Sequence, residues 1–371
     1  MSKNILIVSR SFYPQNSPRS FRTTELAKEL VRQGHQVTVL TPFHPSHLEF
    51  AIEHNLEVKD LGKVKWKSFE LKGNRFFVLL KRAINRLSSL LFEYPNIELM
   101  GLVKKALKKE SGYDLLISIA VPYPVHWGVA RVWNPSNPEK NPAKIWVADC
   151  GDPFYGQEND SFKLPFYWAW VEKWFMKKAD FVTVPTDTSY HGYFKDFHHK
   201  IKVIPQGFRF EDYQFDQVPN QNAIPNFAYA GLFIPGRRDP SAFCEFLLET
   251  NKDFRFHIFT QNSALVDPFV KKAADKFILH DYVPRMDLLK KLHKEVDFVV
   301  NFENVGPRQT PSKLIDYLLI DKPILSVKSF DLDQGNIMRF LKKDYSGALK
   351  IENPDKYKIE NVAAAFLVLA K

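Results

Sequence analysis

Residues Thr310-Pro311-Ser312-Lys313 carry the side-chain types that suit a helix start able to hold an anion. Thr310 is fitted to cap a helix, and Pro311 to occupy its first position, where a missing N–H costs nothing. The amides of Ser312 and Lys313 then project from the positive end of the helix dipole beside the Lys313 ammonium, an arrangement that favours a phosphate group. Asp316, one turn on, is spaced to accept hydrogen bonds from ribose hydroxyls. The alternative is an ordinary capped helix with a solvated Asp and Lys. Leu314, Ile315, Leu318 and Leu319 supply an apolar stripe that would hold this helix against a sheet.

A second group of polar residues falls where buried strands are expected to end. The apolar run 115–119 leads into a proline-rich loop, Val121 to His126, and the run 145–148 leads into Asp149-Cys150-Gly151-Asp152-Pro153. Parallel α/β sheets bind ligands outside the carboxyl ends of their strands, so His126, Asp149 and Asp152 are candidate site residues. Their other reading is as loop-stabilising or capping groups.

The elements that must position these residues alternate regularly. Short apolar runs at 5–8, 36–40, 115–119, 145–148, 181–184 and 201–204 suit strands buried on both faces. Between the first two, Phe21, Ala27, Leu30 and Val31 recur at helical spacing and Gly34 is placed to end the helix. The alternation restarts with strands at 227–230, 255–259, 277–279 and 298–300, separated by helices near 240–249, 267–276 and 286–293. At ~100–200 residues per domain, 371 residues imply two. The expected fold class is therefore α/β, with two doubly wound domains facing each other across a cleft. The boundary falls at Pro205-Gln206-Gly207, giving domains 1–205 and 206–371, with the last helix able to pack back on the first. No G-x-G-x-x-G follows the first strand, which argues against a dinucleotide cofactor.

Composition narrows the partners. Hydrophobic residues at 45% and charged residues at 25% are ordinary for a globular chain. A net charge of +10 favours polyanions: nucleic acid, an anionic membrane face or phosphorylated substrates. Two distant cysteines, Cys150 and Cys244, form neither a disulfide framework nor a zinc module, which fits a reducing compartment. No apolar run approaches the ~18–20 residues needed to span a bilayer, so a cytoplasmic chain is expected. Phe76, Leu80, Ala83, Ile84, Leu87 and Leu91 fall on one helical face, with Arg75, Lys81, Arg82 and Arg86 elsewhere around it. Lys104, Lys105, Lys108 and Lys109 add a second basic cluster. Either helix can be a surface helix with a core-facing stripe, or 75–109 can lie peripherally on an anionic membrane.

The chain resembles the retaining family 4 glycosyltransferases of GT-B fold along nearly its whole length. Asn304…Gln309-Thr310-Pro311-Ser312-Lys313-Leu314-Ile315-Asp316-Tyr317 with Lys322-Pro323-Ile324 is similar to that family's N…Q-x-P-S-K-x-x-E-Y…G-K-P-I signature. Tyr229-Ala230-Gly231 leading to Arg238-Asp239-Pro240 resembles its Y-x-G…R-x-P loop. Asp149 through Asp152-Pro153 is similar to its D-x-x-D-P-W segment, and Phe12-Tyr13-Pro14 with Arg22 to a segment after strand one.

The resemblance implies two facing Rossmann-like domains and transfer of a sugar from a nucleoside-diphosphate donor to a saccharide or lipid-linked acceptor, with retention, in surface polysaccharide synthesis. Arg238 and Lys313 would hold the diphosphate with the Ser312 amide, and Asp316 the ribose. Main-chain groups near Tyr282 and Val283 would read the base, with Asn304, Gln309 and Gly231 also on the donor side. Arg19, His126, Asp149 and Asp152 would lie on the acceptor side, His126 and Asp152 among the catalytic candidates. No metal, cofactor or nucleic-acid partner is implied; Asp331-Leu332-Asp333 reads as a solvated turn, not a metal motif. The chain departs from the pattern at Arg308, where a glutamate that addresses the donor sugar is usual, at Gly151, where arginine is common, and at Asn16-Ser17-Pro18-Arg19, which replaces a glycine-rich loop. A nucleotide-sugar epimerase of the same fold and a non-catalytic partner subunit are the competing readings.

Overall fold

A computed structural model describes residues 2–157, 162–216, 222–303 and 313–371, Lys313 by its backbone alone. The chain forms two units, Met1–Phe208 with Lys356–Lys371, and Arg209–Asp355.

The first unit holds a parallel seven-stranded sheet of β1 (Asn4–Ser9), β2 (Gln36–Thr41), β3 (Glu57–Asp60), β4 (Tyr113–Ile119), β5 (Ala143–Asp149), β6 (Phe181–Val184) and β7 (Ile201–Val203), in the order β3-β2-β1-β4-β5-β6-β7. Its helices are α1 (Pro18–Arg32), α2 (Ser46–Glu53), α3 (Arg75–Phe92), α4 (Glu98–Leu107), α5 (Pro124–Ala130), α6 (Tyr167–Lys178) and, from the chain end, α12 (Ile359–Leu369). The second unit holds β8 (Asn226–Ala230), β9 (Arg255–Phe259), β10 (Phe277–His280), β11 (Phe298–Phe302) and β12 (Ile324–Val327) in the parallel order β10-β9-β8-β11-β12. Helices α7 (Ser241–Glu249), α8 (Asp267–Lys272), α9 (Arg285–Glu295), α10 (Lys313–Leu319) and α11 (Gln334–Phe340) accompany it. In both sheets the strand order reverses, between β1 and β4 and between β8 and β11. The crevice outside the carboxyl ends at such a point is where α/β sheets bind ligands.

Residues 5–8 of β1 are wholly buried, as continuous apolar runs in a parallel sheet demand. β3 has no such run, because its four residues E-V-K-D form a partly exposed edge. Ile359, Val362, Ala363 and Phe366 share one face of α12 and join Ile5, Ile7, Leu26 and Leu30 in a single cluster, which binds the chain end to the first unit. Gly207 permits the approach, since a Cβ there would meet Ile359 Cδ1 at 2.6 Å.

One expectation needs correction here. Residues 121–126 are not wholly loop: Pro124 opens α5, all seven residues of which are buried. The lysines at 104–109 belong to a core-packed region, since Leu99, Val103 and Leu107 of α4 are buried against α5. Gly128 of α5 makes the contact close, for a Cβ there would meet Val103 at 2.5 Å. Lys104 and Lys105 lie on α4 outside its buried stripe, and Lys108 and Lys109 follow the helix, exposed.

The first unit is tied together by a buried ion pair. Arg22 of α1 is 3% exposed and Asp149 at the end of β5 is 1% exposed. Nε and Nη2 of Arg22 donate to Oδ2 and Oδ1 at 3.0 and 2.8 Å, Thr183 of β6 donates to Oδ1 at 2.6 Å, and the guanidinium also reaches the carbonyls of Ile204 and Pro205. Removing one partner of such a pair strands the other charge in the core, at a cost of about 3–5 kcal/mol. Asp149→Ala should therefore lower the urea-unfolding free energy by that order, and Thr183→Val by less, about 1–3 kcal/mol. The reverse ranking would show that the pair is not what holds these elements.

Candidate active site

The carboxyl edge of the first sheet separates its polar residues into engaged and open ones. Asp149 is engaged. Burial alone would raise its carboxyl, but the Arg22 charge and hydrogen bonds outweigh this and hold it below the ordinary range. Expected on the acceptor side, Asp149 instead positions α1, β5 and β6 and has no face toward solvent.

His126 is likewise withdrawn. It is 0% exposed, its Nδ1 lies 2.8 Å from Ser118 Oγ, its Nε2 lies 3.5 Å from Cys150 Sγ, and its ring stacks on Phe175 at 5.5 Å. Burial pushes the imidazole down to about 3, so it is neutral near physiological pH. The expectation that His126 lines a cleft is corrected: α5 turns it into the core between the sheet and α6.

Arg19 and Asp152 are the open pair. Arg19, on the first turn of α1, is half-buried with its guanidinium against Gly151, where a Cβ would clash with it. Its side chain has no ion pair or hydrogen bond among the described residues. Asp152 is exposed, and its carbonyl accepts from Tyr123 Oη at 2.8 Å, which fixes the turn that presents the carboxylate. Gly151 thus makes room for a cation delivered from position 19.

Glu172 of α6 lies behind this edge, fully buried, with Oε1 accepting from the Tyr155 amide at 3.2 Å and Oε2 without a partner. Burial pushes its carboxyl up to about 7, and pushes the neighbouring Cys150 thiol up to about 12.

In the second unit the loop after β8 carries Arg238. Gly231, at φ 150°, turns the chain out of the strand and donates to Phe259 O at 2.9 Å. Buried Ser329 then pins the loop, donating to Arg237 O and accepting from the Asp239 amide, both at 2.9 Å. Arg238 is half-buried beside the Tyr229 hydroxyl; its Nε is buried without a partner and its guanidinium has no ion pair among the described residues. A buried N–H with nothing to donate to is costly, which makes Arg238 a candidate binding group for a hydrogen-bond acceptor.

Asp316 on α10 is held by Arg285, whose Nε donates to Oδ1 at 3.0 Å; Nη2 also donates to Oδ1, and Nη1 donates to Tyr213 Oη at 2.7 Å. Burial raises the Asp316 carboxyl despite this cation. Oδ2 keeps no hydrogen bond among the described residues. Tyr317, the next residue, is buried and accepts from the Ala230 amide at 3.1 Å, so α10 is fastened to the end of β8. Tyr282 is exposed and Val283 half-buried in the turn between β10 and α9. Asp333 caps α11, accepting from the Asn336 amide at 2.9 Å. Asn304, Arg308, Gln309, Thr310, Pro311 and Ser312 lie outside the described residues, as does the side chain of Lys313.

Sequence reasoning missed Arg285, Tyr213 and Glu303. Glu303 follows β11 directly at the switch point and accepts from Ser326 Oγ at 2.9 Å. Its place after an apolar strand run was a usable signal; nothing near Arg285 in the sequence pointed to Asp316.

The buried acid and imidazole make a pH test. Folding raises Glu172 above its ordinary 4.5, so its contribution to stability is complete below that pH and is lost as pH rises through about 7. His126 runs the other way: stability falls as pH drops from 6.5 toward about 3, where only the unfolded chain takes the proton. Glu172→Gln removes the first effect and keeps the second. The variant should gain on the wild type with rising pH between 4.5 and 7, by up to roughly 3 kcal/mol in urea unfolding. A difference independent of pH would mean that Glu172 ionises normally.

Comparison with known proteins agrees with this architecture. The chain aligns over its full length with TarM (TM-score 0.64, 10% identity, 100% of this chain and 99% of that one). It aligns as fully with the Anabaena protein HepE in complex with UDP-glucose (TM-score 0.60, 10% identity, 99% and 98%). The apo lipopolysaccharide outer core galactosyltransferase WaaB is also similar (TM-score 0.52, 10% identity, 99% and 95%). No curated protein matches the sequence. These likenesses establish the GT-B fold. The model of the family described as Glycosyltransferase Family 4 matches residues 21–211, half of the chain and most of its first unit, and the chain belongs to glycosyltransferase family 4.

Proposed function

We propose that the chain transfers a hexosyl group from a nucleoside-diphosphate sugar to a saccharide or lipid-linked acceptor, with retention and without a metal ion. The observation that carries this reading is Arg238, on a loop pinned by Ser329 at the carboxyl edge of the second sheet, with a buried, unpartnered Nε. A departing nucleoside diphosphate gains negative charge as the glycosidic bond breaks, and a preorganised cation in a half-buried site is worth more there than in water. Lys313 at the start of α10 is the second cation of the proposal, and Oδ2 of Asp316 accepts from the ribose. The complex of HepE with UDP-glucose supports a donor of this class, and the name of WaaB supports a role in building surface saccharides.

In the proposed reaction the acceptor hydroxyl attacks the anomeric carbon from the face the diphosphate leaves, and its proton passes to the departing phosphate oxygen. One C–O bond breaks and one forms on the same face, so the configuration is kept. Arg19 and Asp152, open on the first sheet's edge, are assigned to acceptor binding. Asp149 and His126 support that edge from within.

The test is nucleotide release from a panel of nucleotide sugars, with and without a lipid-extract acceptor. Arg238→Ala and Lys313→Ala should each lower turnover roughly 100–1,000-fold while thermal unfolding stays unchanged. Near wild-type turnover in both would overturn the donor site. An isomerised nucleotide sugar formed without acceptor would identify an epimerase instead.

A further inference from the structure

We propose that α3, with the segments fastened to it, is a docking surface for an anionic lipid bilayer. The inference does not depend on the donor site. None of the 18 residues of α3 is buried. Phe76, Phe77, Leu80 and Leu87 are 69, 53, 45 and 54% exposed on a helix that, unlike α4, turns no stripe into a core. Soluble chains seldom leave such a contiguous apolar face to water unless something binds it.

Segments fastened to α3 carry further exposed aromatic side chains, among them Phe69. The Asn85 side chain clasps Phe69, accepting from its amide at 2.9 Å and donating to its carbonyl at 2.8 Å. Trp168 Nε1 donates to Leu90 O at 2.9 Å, which brings the exposed Phe166 and Trp170 of the α6 start to the far end of α3. Exposed aromatic side chains beside a basic helix suit the headgroup boundary.

Charge selects the occupant. Residues 63–92 contain eight Lys and Arg against one acidic residue, Glu70, so most of the chain's net +10 sits in this one stretch. A second copy would set two such faces against each other and be repelled, whereas acidic headgroups complement them at about 1 kcal/mol per cation. Among the described residues no helix is long and apolar enough to cross a membrane. At about 1.5 Å per residue α3 is roughly 27 Å long, and it lies in the interface plane with its apolar face down.

Flotation of the full chain with phosphatidylcholine vesicles, with and without phosphatidylglycerol, tests this. Binding is expected only to the anionic vesicles, and should weaken as salt rises. Arg75→Gln with Arg82→Gln should weaken partition roughly 30-fold. Phe76→Ser with Leu80→Ser should abolish it without lowering the melting temperature, since both side chains are exposed. Lys104→Gln with Lys105→Gln should have little effect. Absence of flotation at low salt, equal binding to neutral vesicles, or an equal loss in the α4 variant would overturn the proposal. So would a wild-type dimer that the Phe76 and Leu80 changes split, which would assign the face to a second copy.

Discussion

The first unit depends on the bidentate pair of Arg22 and Asp149. It joins α1 to the ends of β5 and β6, and through the carbonyls of Ile204 and Pro205 it reaches the strand that leads out of the unit. The Arg22 guanidinium also lies 5.1 Å from the Phe366 ring, so the returning helix α12 closes over the same charge. A buried ion pair seldom adds net stability over an apolar replacement, yet it specifies geometry because each of its donors and acceptors must be met. Here that geometry sets the first turn of α1, and with it the place of Arg19 against Gly151.

The two sheet edges use charge in different ways. In the first unit, Asp149 and His126 are satisfied internally, and the open groups, Arg19 and Asp152, stand beside them. In the second, Ser329 pins the loop on either side of Arg238, whose guanidinium lies beside the Tyr229 hydroxyl and has no ion pair among the described residues, while Asp316 shares one oxygen with Arg285. Leaving a half-buried cation unpaired costs folding energy, and such costs are typically retained where binding recovers them. Arg285, itself held by the Tyr213 hydroxyl, reaches Asp316 from outside α10 and orients the carboxylate.

The helices show a similar division. α4 and α5 bury their apolar faces against each other, to the point where Gly128 must lack a side chain. α3 carries an equally regular apolar pattern and has no fully buried residue. Periodicity describes which residues share a face and says nothing about what covers that face.

The sequence by itself determined the strands and their alternation, because a strand buried on both faces must be an unbroken apolar run such as Ile5 to Val8 or Phe298 to Val300. It also pointed to the glycosyltransferase family through spaced residues around Lys313, and to Arg238 through the turn after β8. Only the tertiary structure decided which of these polar residues are buried and paired and which stay open. His126 and Asp149 have the right types in the right loops, but α5 and Arg22, distant in sequence, take them into the core. The same holds for Arg285 with Asp316 and for α3 against α4. Side-chain chemistry is local and can be read along the chain; burial and pairing are set by elements that meet only after folding.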